Sequence, residues 1–405
     1  MDITKEILYA GVNDREIDLF ESQYAVPDGV SYNSYVIRDE RITVMDTVDR
    51  RKSAEWLSNL KRILGEDKPY YLVVSHLEPD HAGSIMEFLE SYPDTVLVGN
   101  AKTFVFLEQF FPALSKDLKK QTVTEGEALS LGKHVLQFFL APMVHWPEVM
   151  VTYEQTEKVL FSADGFGKFG TQDAGGESAA GNCDAGGCTV EEWTGEARRY
   201  YINIVGKYGA SVQALLKKAG GLEINVIAPL HGPVLRENLS YYIEKYDTWS
   251  SYRPEEEGVL IAYASIHGNT AAAAKKLEEI LRRKGVEEVK LTDLSRDDMA
   301  EAVSDAFRYD KMVLACATYD GGLFPCMEDF LAHLKSKAYQ KRTVALIENG
   351  TWAPMAGKCM KKLLEEMKEI TVLENMVTIK SAVNEQTDGQ LESMAETLLE
   401  TAREK

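Results

Sequence analysis

From residue 258 onward the chain alternates strand and helix without interruption, and this alternation constrains the fold more than any other feature. An apolar run at 259–264 is followed by a helical stretch at 270–284, a strand near 286–291, a helix at about 299–306 and a strand at 311–317. A helix at 326–337, a strand at 343–347, a helix at 357–368, a strand near 371–379 and a closing helix from Glu385 complete the series. Strands joined by helices lie parallel, because a parallel connection has to cross over the sheet. The expected unit is therefore a doubly wound, five-stranded parallel sheet with helices on both faces.

The preceding residues are richer in strands. Strands are expected at 32–37, 41–46, 70–75, 95–99, 134–141, 150–153, 159–162 and 222–230, with helices at 51–64, 84–91, 101–110 and 190–208. Several strands with helices outside them predict an α/β sandwich. At 405 residues the chain is long enough for two or three domains of about 150 residues each. Between the two parts runs Ser251-Tyr252-Arg253-Pro254-Glu255-Glu256-Glu257-Gly258, and a proline followed by three like charges and a glycine is linker chemistry. This places a first domain at 1–250, a linker at 251–257 and a second domain at 258–405.

Composition narrows the partners. Acidic residues number 64 against 45 Lys and Arg, a net charge of -19, and binding phosphates needs the opposite surplus, so no nucleic-acid partner is expected. No stretch approaches 18 uncharged apolar residues and no basic segment precedes an apolar one at the N-terminus, so a soluble cytoplasmic protein with no membrane partner is expected. The five cysteines are odd in number and no two stand at C-x-x-C spacing, which argues against a disulfide framework and a thiolate metal site. Residues 165–187 contain eight glycines with Cys183 and Cys188 alongside, and read as a long loop.

The densest chemistry lies at His76-Leu77-Glu78-Pro79-Asp80-His81, directly after an apolar strand. A single histidine there would be read as a satisfied core residue. Four potential ligands in six residues reverse that reading, because side chains leaving a strand end converge on a crevice. Pro79 forbids simple continuation as a helix at that point. Two more of the seven histidines, His145 and His231, end apolar runs, and Asp164 ends a third. Imidazoles and carboxylates repeated at strand ends are what one metal crevice fed by several loops requires. His134 and His333 have no such setting and are read as structural.

A second constellation opens the alternating unit. Ser265-Ile266-His267-Gly268-Asn269-Thr270 follows its first strand and leads into an Ala-rich helix. Hydroxyls at both ends, a glycine between them and backbone N–H groups at a helix start make a phosphate cradle.

Taken together, these motifs resemble the flavodiiron proteins, in which a metallo-β-lactamase-like domain with the pattern His-x-Glu-x-Asp-His, then His, Asp and His, precedes a flavodoxin-like domain. The resemblance covers the chain from about Tyr32 onward. It implies an α/β protein with an N-terminal αββα sandwich and a C-terminal flavodoxin-like sheet. It also implies that His76, Glu78 and His145 hold one iron, that Asp80, His81 and His231 hold the other, and that Asp164 bridges them. In the zinc hydrolases of the same superfamily the second position is a histidine. Here it is Glu78, and hard carboxylate oxygens suit iron cycling between +2 and +3 better than zinc. Glu148 stands where the family has Asp and is expected to be solvated or to support the ligands from behind, while Trp146 and Pro147 shape the loop.

For the second domain the resemblance implies FMN, with its phosphate in the 265–270 loop and its ring held by Thr318-Tyr319-Asp320-Gly321 and Asn349-Gly350-Thr351-Trp352. The Ser-Pro step before Thr318 and the Gly-x-Tyr-Gly-Trp run of commoner flavodoxins are missing. The implied activity is reduction of O2 to water, with coupling of two NO to N2O as the alternative, in a head-to-tail homodimer or a dimer of dimers. No C-x-x-C pair follows residue 380, so the electrons are expected from an external donor such as rubredoxin or a reduced cofactor. Two rivals stay open: a zinc hydrolase carrying a passenger flavodoxin domain, and a redox relay without turnover at the metals.

Overall fold

The computed structural model describes residues 2–114, 118–172 and 190–400. Cys183, Cys188 and most of the glycine-rich segment lie outside the described residues. The chain divides into two compact units, one of Met1–Tyr201 with Ala210–Asp247, the other of Ile202–Gly209 with Thr248–Lys405.

The first unit is an αββα sandwich. One sheet runs in the order Ile7–Tyr9, Tyr35–Ile37, Thr43–Met45, Tyr71–Val73, Val96–Gly99, Lys120–Thr122. The other runs Ala128–Ser130, Val135–Leu140, Met150–Glu154, Val159–Phe161, Val226–Ala228. Tyr35, Met45, Val73 and Val98 from the first sheet meet Leu136, Phe138, Met150 and Phe161 from the second in a buried core. Helix Ser53–Leu64 covers an outer face with Trp56, Leu60 and Leu64, a spacing of four that puts all three on one side.

Several expected elements are divided. The strand expected at 32–37 is two strands. Val30–Tyr32 pairs with Val12–Asp14, while Tyr35–Ile37 joins the six-stranded sheet. Asn33 makes the step, its buried amide donating to Pro229 O and Gly232 O, each at 2.8 Å. The strand expected at 222–230 is only Val226–Ala228, because Gly220 and Leu222 donate back into helix Gly209–Ala219 and Pro229 has no N–H to extend the ladder. The helix expected at 190–208 is α-helical over Val190–Tyr200, then passes through a π-helical turn at Tyr201–Val205 and a 3-10 turn at Gly206–Tyr208. Helices Gly209–Ala219 and Leu239–Ser250 were not anticipated.

In the second unit the strands lie in the order Val289–Asp293, Glu256–Ala264, Tyr309–Tyr319, Arg342–Asn349, Ile370–Val372, all parallel. This 2-1-3-4-5 order is that of flavodoxins, and it puts a topological switch between the first and third strands. The fifth strand, expected to be continuous, is broken. Its second piece, Val377–Ile379, pairs with the same neighbour, but Val344 and Ile347 face Val372 and Val377, so the fifth strand carries two extra residues as a bulge.

Candidate metal centre and flavin cleft

Every residue singled out for metal binding lies in a segment that leaves the carboxyl end of a strand. His76 and Glu78 follow Tyr71–Val73. Asp80 and His81 lie on the helical turn Pro79–Ala82, where Pro79 starts the turn instead of preventing one, since its missing N–H is not needed at the first helical position. His145, Asp164 and His231 follow Val135–Leu140, Val159–Phe161 and Val226–Ala228.

The seven side chains converge in two half-sites around one carboxylate. Oδ2 of Asp164 lies 3.2 Å from His76 Nε2 and 2.9 Å from His145 Nε2, and Glu78 Oε2 is 2.8 Å from the same nitrogen of His145. Oδ1 of Asp164 lies 3.5 Å from His81 Nε2 and 4.0 Å from His231 Nε2, and Asp80 Oδ2 is 3.2 Å from His231 Nε2. Nε2 of His81 and Nε2 of His231 face each other at 2.9 Å. Both nitrogens of His76, both oxygens of Asp80 and Asp164 Oδ1 are buried without a hydrogen-bond partner. Orphaned donors and acceptors in such number are costly unless a cation gathers them. A donor set of four imidazoles and three carboxylates, one of them shared, fits two divalent ions.

The electrostatics agree with that demand. Burial works against a charged His76, yet Asp164 and Glu78 carry its pKa well above the ordinary value, and the same two carboxylates bring His145 to about 10. Burial and Glu78 push Asp80 up to about 6. Against its burial, His231 is likewise raised by Asp80, so three of the four imidazoles are held toward their protonated form by the carboxylates around them. Metal loading must displace such protons, so binding should release protons near neutral pH. Calorimetry of Fe(II) binding in buffers of different ionisation enthalpy measures this release.

Supporting contacts aim the ligands. His231 Nδ1 donates to Ser31 O at 2.8 Å, which leaves Nε2 for a metal. Glu148 is buried, not solvated, and its Oε1 accepts the Leu77 N–H at 2.9 Å, between His76 and Glu78. Sequence reasoning missed Asp46. Its carboxylate accepts both the N–H and the hydroxyl of Ser75 at 2.7 Å, and Thr47 donates its hydroxyl to His81 O at 2.6 Å, so residues 46–47 clamp both ends of the ligand loop. The signal was present, since Asp46 ends its strand as Asp164 does. Tyr32 and Tyr200 wall the site, their ring centroids 6.1 and 5.4 Å from that of His231. Gly167 eases a close approach, because a Cβ there would lie 3.0 Å from Asp164 O and 3.3 Å from the His231 Cβ, a tight fit.

In the second unit, thirteen of the fourteen residues expected to contact a flavin line one cleft of about 740 Å³ at the carboxyl edge of the sheet: Ser265, Ile266, His267, Asn269, Thr270, Thr318, Tyr319, Asp320, Gly321, Asn349, Gly350, Thr351 and Trp352. Gly268 completes the loop at φ +88°, its N–H donating to Ser265 Oγ at 3.1 Å, and helix Asn269–Arg283 starts there without a side-chain cap. Its first N–H groups are thus available to a phosphate. Trp352 is 83% exposed and does not pack on its own loop, whereas Tyr319 meets Phe324 edge-on at 5.6 Å. Thr318 has another duty: its hydroxyl accepts the N–H groups of Met355 and Ala356 at the start of helix Ala356–Glu365. Met355 and Ser381 also line the cleft and were not anticipated.

Comparison with known proteins agrees with both units. Residues 30–232 match the ODP family of β-lactamase-like domains, about half of the chain, and residues 260–385 match a flavodoxin domain. The flavodiiron protein of Giardia intestinalis superposes with a TM-score of 0.90 at 25% identity, over 99% of this chain and 96% of that one. The chain belongs to the flavodiiron protein family. Among its flavodiiron relatives, the rubredoxin-oxygen oxidoreductase of Megalodesulfovibrio gigas is 28% identical over 383 residues, 94% of this chain and 92% of that protein. The anaerobic nitric oxide reductase flavorubredoxin of Vibrio vulnificus is 28% identical over 364 residues, 86% of this chain and 70% of that protein. Relatives of this flavodiiron chain are thus oxidoreductases of two acceptors. No described helix is long and apolar enough to cross a membrane.

Proposed function

We propose that this chain is a flavodiiron oxidoreductase that reduces O2 to water in the cytoplasm, with residues 1–250 as the diiron domain and residues 258–405 as the FMN domain. The observation that carries the reading is Glu78, a carboxylate within 2.8 Å of His145 Nε2 at the position where a zinc hydrolase would present a third imidazole. His76, Glu78 and His145 would hold one iron, Asp80, His81 and His231 the other, and Asp164 both. When bound, FMN would supply two-electron acceptance with one-electron release, and the irons would supply the redox chemistry for a diatomic acceptor. The chain's part is placement: the clamp at residues 46–47 fixes the loop from Ser75 to His81, Tyr32 and Tyr200 wall the site beside His231, and the 265–270 loop would hold the phosphate.

The electrons would come from a separate donor such as rubredoxin, and a head-to-tail homodimer would bring the flavin of one subunit to the irons of its partner. NO reduction to N2O is the second reading, supported by the flavorubredoxin relative. Metal analysis, visible spectroscopy and O2 and NO electrodes with one defined reductant decide among them. About two irons and one FMN per chain with rapid O2 uptake are expected. Zinc without O2 uptake would mean a hydrolase, and O2 uptake no faster than that of free flavin would mean a relay. Replacing Trp352 with alanine should weaken FMN binding about tenfold while changing apo-protein stability by less than about 0.5 kcal/mol, because the indole is exposed and touches little else. Flavin fluorescence titration and thermal denaturation measure the two effects.

A further inference from the structure

A second group of ligand-type side chains lies in the first unit, at the opposite ends of the strands that carry His145 and Asp164. His134 immediately precedes strand Val135–Leu140 and Glu157 lies just before Val159–Phe161, while Glu6 precedes Ile7–Tyr9. Six residues at about 3.3 Å each put roughly 20 Å between the two ends of the first of these strands, so this group is separate from the iron ligands.

His134, expected to be merely structural, is fully buried. Its Nδ1 lies 2.9 Å from Asp39 Oδ2, which also accepts its backbone N–H at 2.6 Å. Burial raises the Asp39 pKa, but the backbone N–H groups of His134, Lys133 and Glu40 bring it down to about 2. Asp39 is therefore an anion throughout the working range and keeps the proton on Nδ1. Nε2 is buried with no hydrogen-bond partner and points toward Glu6, whose Oε2 is 3.4 Å away. Glu157 Oε2 is likewise buried and unpartnered. One ligand atom from each of Glu6, His134 and Glu157 falls within 4.8 Å of the others.

We propose that Glu6, His134 and Glu157 form a binding site for a divalent transition-metal ion of the zinc type, with Asp39 orienting the imidazole. One nitrogen and two carboxylate oxygens, with a fourth position open to water, is a zinc-like donor set, and a carboxylate behind a ligating imidazole is its usual support. Two glutamates and a neutral histidine balance a +2 ion. Lys133 is the competitor. Its ammonium pairs with Glu6 and also faces Glu157 and Asp39, yet it leaves His134 Nε2 unsatisfied. Its side chain is 55% exposed and can swing into solvent when a metal arrives. The site joins the start of the chain to two turns of the second sheet, so its role is to fasten that end of the sandwich.

The test is titration of the iron- and FMN-loaded full chain with Zn2+, followed by calorimetry and by metal analysis after desalting. One zinc per chain should bind with no loss of iron and should raise the melting temperature. Glu157→Gln, a change at a half-buried turn, should weaken binding at least tenfold, and Lys133→Met should tighten it severalfold by removing the competing ammonium. His134→Gln should abolish binding; if that variant fails to fold, the other two carry the test. Zinc uptake matched by iron loss, no uptake, or an affinity unchanged by both Glu157→Gln and Lys133→Met would overturn the proposal.

Discussion

Replacing Asp164 with asparagine should lower O2 or NO turnover by at least about 100-fold and reduce bound iron, while FMN stays bound at one per chain. The expected size follows from geometry. Asp164 presents one oxygen to each half-site, with Oδ2 at 2.9 Å from His145 Nε2 and Oδ1 at 3.5 Å from His81 Nε2. An amide keeps one acceptor and turns the other atom into a donor, which cannot ligate a cation. Loss of a contact that merely supports a ligand costs 10- to 100-fold in metal affinity or activity, so the shared carboxylate itself should cost at least the upper figure. Iron content by metal analysis and flavin absorbance on the same sample separate this outcome from misfolding, because the flavin cleft is built wholly from the second unit.

Asp46→Ala should destabilise the protein by about 2–5 kcal/mol and lower iron affinity roughly 10- to 100-fold. Truncation leaves the Ser75 N–H and hydroxyl buried without their acceptor, each a desolvated polar group. It also frees the end of the strand just before His76, so one variant reports on folding and on metal retention together. Denaturant unfolding of the metal-free protein isolates the first effect, and competition with a chelator the second. If iron affinity fell while metal-free stability stayed unchanged, the clamp would matter only to the loaded state.

The alternation after residue 258 was enough to give the class of the second unit, because period and length distinguish crossover helices from strands. Its bulge at 373–376 was not legible, since nothing in Thr371 to Ile379 marks two extra residues except their partners in the neighbouring strand. Among the metal-type side chains, clustering made His76 to His81 stand out. The sharing of Asp164 between two half-sites is a matter of side-chain geometry, which spacing cannot encode. Asp46 escaped because one acid at a strand end has no clustered partner in sequence. His134 escaped for a related reason: its companions Glu6, Asp39 and Glu157 are scattered over more than 150 positions. Thr318 was read as a flavin contact from its place after a strand, and only the folded chain reveals that its hydroxyl is occupied by a helix start.

The parallel pairing of Val159–Phe161 with Val226–Ala228 has a consequence for biosynthesis. His231 is delivered by the last strand of its sheet, so a nascent chain that has not yet emerged past that strand owns six of the seven side chains and no complete pocket. Such long-range pairing forms late, because its loop-closure entropy is met before its contacts exist. Metal delivery would then follow translation of the whole first unit, and an ion held by these side chains would join a loop made early by the ribosome to one made late.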